Sequence, residues 1–167
     1  MGEITFRQST NIHDYKPILE GLVDDFGYIY YSAILGWCNI IKGRDDKFWQ
    51  IWLISHDDET IGICGLYSLH EKKTDELWLA WFGILESWRN KGVGVHALMF
   101  MENKARKVGC SKLCSYVDED GKPLSFYKRN GFTVVGRVKD FLATNTDAGI
   151  SIDDFESEND WVIEKKL

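Results

Sequence analysis

No apolar run in this 167-residue chain approaches the roughly 18 residues that a membrane span needs, so no integral membrane helix is expected. The first residues, Met1-Gly2-Glu3-Ile4-Thr5-Phe6, lack the basic patch, apolar stretch and small-residue cleavage site of a secretory signal, which makes a cytoplasmic location the expectation. Cysteine is sparse and shows no paired pattern. Of Cys38, Cys64, Cys110 and Cys114, three lie in apolar stretches where a free thiol packs as a small hydrophobe, and disulfides are not implied. No metal is expected either, because Cys110 and Cys114 have no histidine or second cysteine pair to complete a zinc site. Basic residues are outnumbered, 20 Lys and Arg against 26 Asp and Glu, and the formal charge of −6 argues against a nucleic-acid partner. Internal repeats and low-complexity tracts are missing, and the length suits one domain, residues 1–167.

What is present begins with acid. Asp45-Asp46, Asp57-Asp58-Glu59, and Asp153-Asp154 with Glu156 and Glu158 form clusters that can attract a cationic acceptor, although each also reads as a solvated loop. Hydrophobic periodicity then sets the elements. Residues 3–8 alternate as a strand, and a helix follows with Asp14 as its cap, Pro17 in its first turn and Ile18, Leu19, Leu22, Val23 and Phe26 on one face up to Gly27. Residues 28–41 read as a second helix and loop. Residues 48–54 and 60–69 make a hairpin around a polar turn, and 77–85 is a nearly uniform apolar run suited to a central strand. Residues 92–108 form a helix with Val95, Leu98, Met101, Ala105 and Val108 on its stripe and Gly109 at its stop. A strand at 112–117, a short helix at 124–129 and strands at 132–138 and 161–166 complete the chain, with an irregular segment near 144–159. The order β-α-α-β-β-β-α-β-α-β-β describes a mixed α+β fold.

The glycines are the informative feature. Seven residues of loop, Leu85 to Lys91, separate the apolar strand from Gly92-Val93-Gly94 at the mouth of a helix. The first N–H groups of a helix lack intrahelical partners and the helix dipole adds partial positive charge, so a pyrophosphate can be cradled there, with Arg89 and Lys91 adding charge-assisted bonds. Taken alone, residues 92–97 also satisfy the G-x-G-x-x-A dinucleotide fingerprint, with Asp118 near the place of a ribose-binding acid. The dinucleotide turn, however, follows its strand within a residue or two, and too little chain remains for further βαβ units.

Arg89-Asn90-Lys91-Gly92-Val93-Gly94 resembles the R/Q-x-x-G-x-G/A motif with which GNAT acetyltransferases hold the diphosphate of acetyl-CoA. Phe126-Tyr127-Lys128-Arg129-Asn130-Gly131-Phe132 resembles the F-Y-x-x-x-G-F segment of the same family, in the expected order and spacing. The resemblance runs from about Thr60 through Gly136-Arg137-Val138-Lys139-Asp140-Phe141 to the closing Trp161–Leu167. It implies a central, mostly antiparallel sheet of six to seven strands flanked by about four helices and splayed at the cofactor site. The implied activity is acetyl transfer from acetyl-CoA to a primary amine, on a small molecule or a protein, without a metal. The amine-bearing acceptor is then the expected partner, and the resemblance also admits a homodimer.

Residue by residue, the resemblance assigns the cofactor to the backbone of Ile84 and Leu85, to the loop from Arg89 to Val95, and to Asp120, which stands where the family has an asparagine. A proline common in the family is Glu86 here. Tyr127 takes the place of the acid that protonates the departing thiolate, a role its ordinary pKa of about 10 suits. The glutamate that histone-type members use as base falls on Trp78, and Glu76, two residues away on the same strand face, is the substitute. A water relay or an amine already neutral on binding serves without it. Trp37, Trp78 and Trp81 read as core or as an amine-binding aromatic pocket. A silent acyl-CoA-binding module is the alternative from another functional class.

Overall fold

Seven strands share one sheet in the order β1-β2-β3-β4-β5-β7-β6. The computed structural model describes residues 2–9, 11–22, 49–69, 75–119, 121–145, 152, 155 and 157–167. Along the chain these give β1 (Ile4–Arg7), a 3-10 turn (Ile12–Asp14), α1 (Lys16–Gly21), β2 (Trp49–His56), β3 (Glu59–Tyr67), β4 (Glu76–Ile84) and a second 3-10 turn (Glu86–Trp88). They continue with α2 (Val93–Lys107), β5 (Lys112–Val117), α3 (Pro123–Arg129), β6 (Thr133–Arg137), α4 (Val138–Thr144) and β7 (Trp161–Lys166). β4 and β5 pair in parallel because α2 carries the chain back between them, whereas β1–β2, β5–β7 and β6–β7 are antiparallel. The mixed, mostly antiparallel sheet with its helices is the α+β fold expected. The helix expected within residues 28–41 lies outside the described residues, as does Gly27. Among the described residues no helix is long and apolar enough to cross a membrane.

The chain forms two compact units, residues 1–66 with 80–101 and residues 67–79 with 102–167. In the first, Tyr15, Ile18, Leu19 and Leu22 from α1 and its approach meet Ile51, Leu53 and Ile63, and Trp81 and Leu85 pack against them. Two glycines permit close approach. A Cβ on Gly21 would stand 2.6 Å from the Leu85 side chain, and one on Gly62 would stand 2.7 Å from the Gly83 carbonyl oxygen. Phe100 is stacked on Phe6 with ring centroids 4.0 Å apart and meets Trp52 edge-on at 5.2 Å. Asp14 does not cap α1 as expected. Its carboxylate accepts from Arg7 Nη1 at 2.9 Å and Ser9 Oγ at 2.6 Å, and Tyr15 occupies the cap position.

In the second unit, Trp78 is fully buried, with Phe141 at 5.3 Å and Phe155 at 5.9 Å, both edge-on. The ammonium of Lys165 on β7 pairs with the buried carboxylate of Glu102. Two sequence expectations need correction. The strand expected to reach Val138 stops at Arg137, and α4 follows where an extended and then irregular chain was anticipated. Seven residues are too few for a helical period to declare itself, and Val138 and Phe141, three apart, fit either pattern. On α2 the buried positions are Val93, Ala97, Leu98, Met101, Glu102 and Ala105, while Val95 and Val108 are 40% and 43% exposed. The expected stripe averaged fewer than the about 3.6 residues of a helical turn, so its ends rotate off the buried face.

Candidate functional site

The first part of the site is built by the end of β4 and the start of α2, within the first unit. Trp81, near the end of β4, has φ +41°, a left-handed conformation that a bulky residue adopts only when its surroundings compel it. Packing against the α1 core supplies that compulsion. Beyond it, Leu85 N–H still donates to the Ile61 carbonyl at 3.0 Å, and the chain then enters the Glu86–Trp88 turn, so the loop bends without the family's proline. Arg89 Nε donates to the Ile84 carbonyl at 2.9 Å, which ties the guanidinium to the last residue of the strand. The oxygen of Ile84 is therefore already engaged by a residue of the glycine motif.

The motif itself turns through two left-handed residues, Asn90 at φ +59° and Gly92 at φ +81°. Asparagine tolerates that region because its short polar side chain bonds locally, and glycine because it has no Cβ. The Gly92 carbonyl accepts from the N–H groups of Val95 at 3.1 Å and His96 at 3.2 Å, and His96 Nδ1 lies 3.0 Å from it. Gly92 is thus the residue from which α2 begins, and buried Val93 anchors that first turn. Arg89, Asn90, Lys91, Gly92 and Val95 are exposed, and Gly94 is half-buried. Lys91 Nζ stands 4.9 Å from the centroid of Trp88, whose ring lies 4.5 Å from that of His56. An exposed turn with left-handed residues, two cations and the N-terminus of a 15-residue helix is an anion-binding arrangement.

The remaining candidates lie in the second unit. α3 begins at Pro123, which suits a first helical position, and closes on Gly131 at φ +88°, with Phe132 N–H donating to the Tyr127 carbonyl at 3.1 Å. The buried ring of Tyr127 meets Phe126 and Phe132 edge-on at 5.4 and 5.3 Å. Burial pushes the phenol well above the ordinary tyrosine range, and the hydroxyl of Ser115 on β5 works in the opposite direction. Tyr127 therefore keeps its proton at any physiological pH. Burial likewise pushes the thiols of Cys64 and Cys114 upward, which makes both poor nucleophiles.

Glu76 is buried at the start of β4. Its Oε1 accepts from Trp78 Nε1 at 3.0 Å and its Oε2 pairs with Lys112 Nζ at 2.9 Å, in register across the parallel β4–β5 pair. Lys112 also reaches Glu164 at 3.4 Å. Burial works against the Lys112 charge, but the bond and charge of Glu76 outweigh it and hold the ammonium above the ordinary lysine range. Asp120 and Trp37 lie outside the described residues. Ile84, Leu85 and the Arg89–Val95 loop thus share one unit, and Tyr127 and Glu76 share the other. Sequence reasoning missed Ser115 and Trp88. A lone hydroxyl in an apolar strand, which must find a partner when buried, was the available signal for the first.

Residues 14–132 match the acetyltransferase (GNAT) family. An uncharacterized N-acetyltransferase of Bacillus subtilis, YdgE, is 30% identical over 99 residues, which is 57% of this chain and 62% of that protein. The chain thus matches less than two thirds of its curated relative's length. Among solved structures, an acetyltransferase from Streptococcus agalactiae superposes with a TM-score of 0.72 at 17% identity, covering 98% of each chain. The PaiA N-acetyltransferase of Thermoplasma acidophilum, solved in complex with coenzyme A, gives 0.66 at 17% identity over 99% of each chain. A GNAT acetyltransferase from Elizabethkingia anophelis with acetyl-CoA bound gives 0.65 at 20% identity over 98% of each. The fold is theirs, and with the family match the conclusion follows that this chain belongs to the GNAT acetyltransferase family.

Proposed function

We propose that this protein transfers the acetyl group of acetyl-CoA to a primary amine. The observation that carries the reading is the Arg89–Gly94 turn, which passes through two left-handed residues into the N-terminus of α2 and carries two cations. A diphosphate suits that turn. The pantetheine arm is assigned by resemblance to the backbone of Ile84 and Leu85, although the Ile84 carbonyl and both backbone polar groups of Leu85 already have partners within the chain. Asp120 is the further residue assigned to the arm by resemblance. The PaiA and Elizabethkingia relatives, solved with coenzyme A and acetyl-CoA, lend support from the same fold.

The amine nitrogen attacks the thioester carbonyl carbon, the carbon–sulfur bond breaks, and Tyr127 gives its proton to the departing sulfur. The surplus proton of the amine passes to solvent. For groups of ordinary pKa the transfer from Tyr127 to sulfur is uphill by about 2 kcal/mol, and the burial that raises this phenol makes it more so. Because both oxygens of Glu76 are engaged by Trp78 and Lys112, we assign the loss of the amine proton to water or to the step before binding, and Glu76 to holding β4 and β5 together. The acidic 144–159 segment is the element that favours a cationic acceptor.

Calorimetry separates the cofactors. Binding of acetyl-CoA with no binding of NAD is the expected result, and tight NAD binding without CoA binding would sink the assignment. Acetyl-CoA binding with no turnover of any amine would favour the silent sensor instead.

A further inference from the structure

Trp88 has no part in the roles assigned so far. It closes the Glu86–Trp88 turn, directly before the glycine motif, and is half-buried. Its ring meets that of His56, the last residue of β2, with centroids 4.5 Å apart and planes tilted by 42°. His56 is held in turn: its Nδ1 lies 3.5 Å from the carboxylate of Asp57, whose N–H donates to the Glu3 carbonyl at 3.2 Å. The Trp88 ring also meets the ammonium of Lys91, 4.9 Å from the ring centroid, a distance at which the negative face of an indole attracts a cation. All of these residues belong to the first unit.

Lys91 is exposed and forms no ion pair among the described residues. A lysine side chain loses rotamer freedom when it fastens on a ligand, and a group that holds it beforehand lowers that cost. A carboxylate in the same place would compete with a phosphate for the ammonium, whereas a ring leaves the charge and its three donors available. Arg89, the other cation of the turn, is tied through Nε to the Ile84 carbonyl, so both charges are held by the chain itself. We propose that Trp88 is a positioning residue for the cofactor, its ring backed by His56 and holding the Lys91 ammonium at the turn that receives the diphosphate. The inference rests on the reading of that turn as the diphosphate site.

The test measures the Kd for acetyl-CoA by calorimetry in the wild type, Trp88→Phe, Trp88→Leu, Lys91→Met and the double variant of Trp88→Leu with Lys91→Met, with folding followed by thermal melting. A cation–π contact at an exposed site predicts that Trp88→Leu weakens binding by about twofold to about fivefold, and that Trp88→Phe, which keeps a ring, recovers part of the loss. With Lys91→Met already in place, the change at 88 should have no further effect. If leucine unfolds the protein, a fluorinated tryptophan at 88, alike in shape but with a less negative face, carries the same comparison. Equal weakening by phenylalanine and leucine overturns the role by assigning Trp88 to packing, and so does a loss that persists in the absence of Lys91. The acetyl thioester of pantetheine, which has the arm and lacks the phosphates, separates the two readings. Wild-type protein that binds it as tightly as acetyl-CoA overturns the diphosphate reading of the turn. A wild-type preference for acetyl-CoA that Trp88→Leu leaves intact overturns the role of Trp88 alone.

Discussion

Tyr127 is a phenol kept protonated by burial, with the rings of Phe126 and Phe132 packed edge-on to its own. Removing only that oxygen tests its chemistry with little change in packing. Tyr127→Phe is expected to lower kcat by about 10²- to 10⁴-fold, the range for a general acid, while acetyl-CoA binding measured by calorimetry is retained. Gly92 fails for a different reason. A Cβ there would meet only His96 Nδ1 at 4.0 Å, so Gly92→Ala is a matter of backbone strain at φ +81° and not of collision. The strain costs about 1–2 kcal/mol, and weaker acetyl-CoA binding is the outcome to measure. Asp160 shows the effect of burial on a carboxylate. Burial first, then the charge of Asp118, raise it above its ordinary 3.8, against the backbone bond from Ser157. A folded-state value above the unfolded one favours the native state at low pH, and that advantage is lost as pH rises through the folded value. Asp160→Asn should therefore raise the denaturation midpoint at neutral pH, with the gain disappearing below 3.8.

At the scale of elements, α2 and the β4–β5 pair carry the clearest expectations. Met101 is fully buried and Met99 is 56% exposed two residues away on the same helix. Met101→Ala should cost about 2–5 kcal/mol of stability, whereas Met99→Ala should stay within about 0.5 kcal/mol. Glu76→Gln removes one of the two carboxylates at Lys112 and should cost on the order of 2 kcal/mol, less than for a fully buried pair because Glu164 at 3.4 Å and solvent still serve the ammonium. Since Lys112 is raised above 10.5, the stabilisation from this pair is complete below that pH and is lost as pH climbs through the folded value. The difference in melting temperature between wild type and Glu76→Gln should shrink accordingly in alkaline buffer. Strong periodicity made β5, β7 and most of α2 legible in the sequence. α4 was hidden because its seven residues hold too little period, and the bend of β4 because φ at Trp81 is imposed by packing against α1 and not by its own side chain.

For the whole molecule, the glycine loop was legible because a backbone that must turn left-handed writes its requirement into residue identity, at Asn90 and Gly92. Tyr127 was legible through the motif around it. Glu76 illustrates the limit on the other side: the sequence offered a carboxylate on the proper strand face, and the fold gives both its oxygens to Trp78 and Lys112. With a formal charge of −6, the molecule as a whole attracts cations, so acceptor turnover should weaken with added salt if long-range attraction contributes. The central claim is acetyl transfer, and mass spectrometry of a primary-amine panel incubated with the protein and acetyl-CoA tests it most directly, with release of the coenzyme A thiol followed in parallel. One acetylated amine per thiol released, abolished without protein and strongly reduced in Tyr127→Phe, is the predicted result. Thiol release with no acetylated amine, or no release from any amine while acetyl-CoA binds, would contradict it.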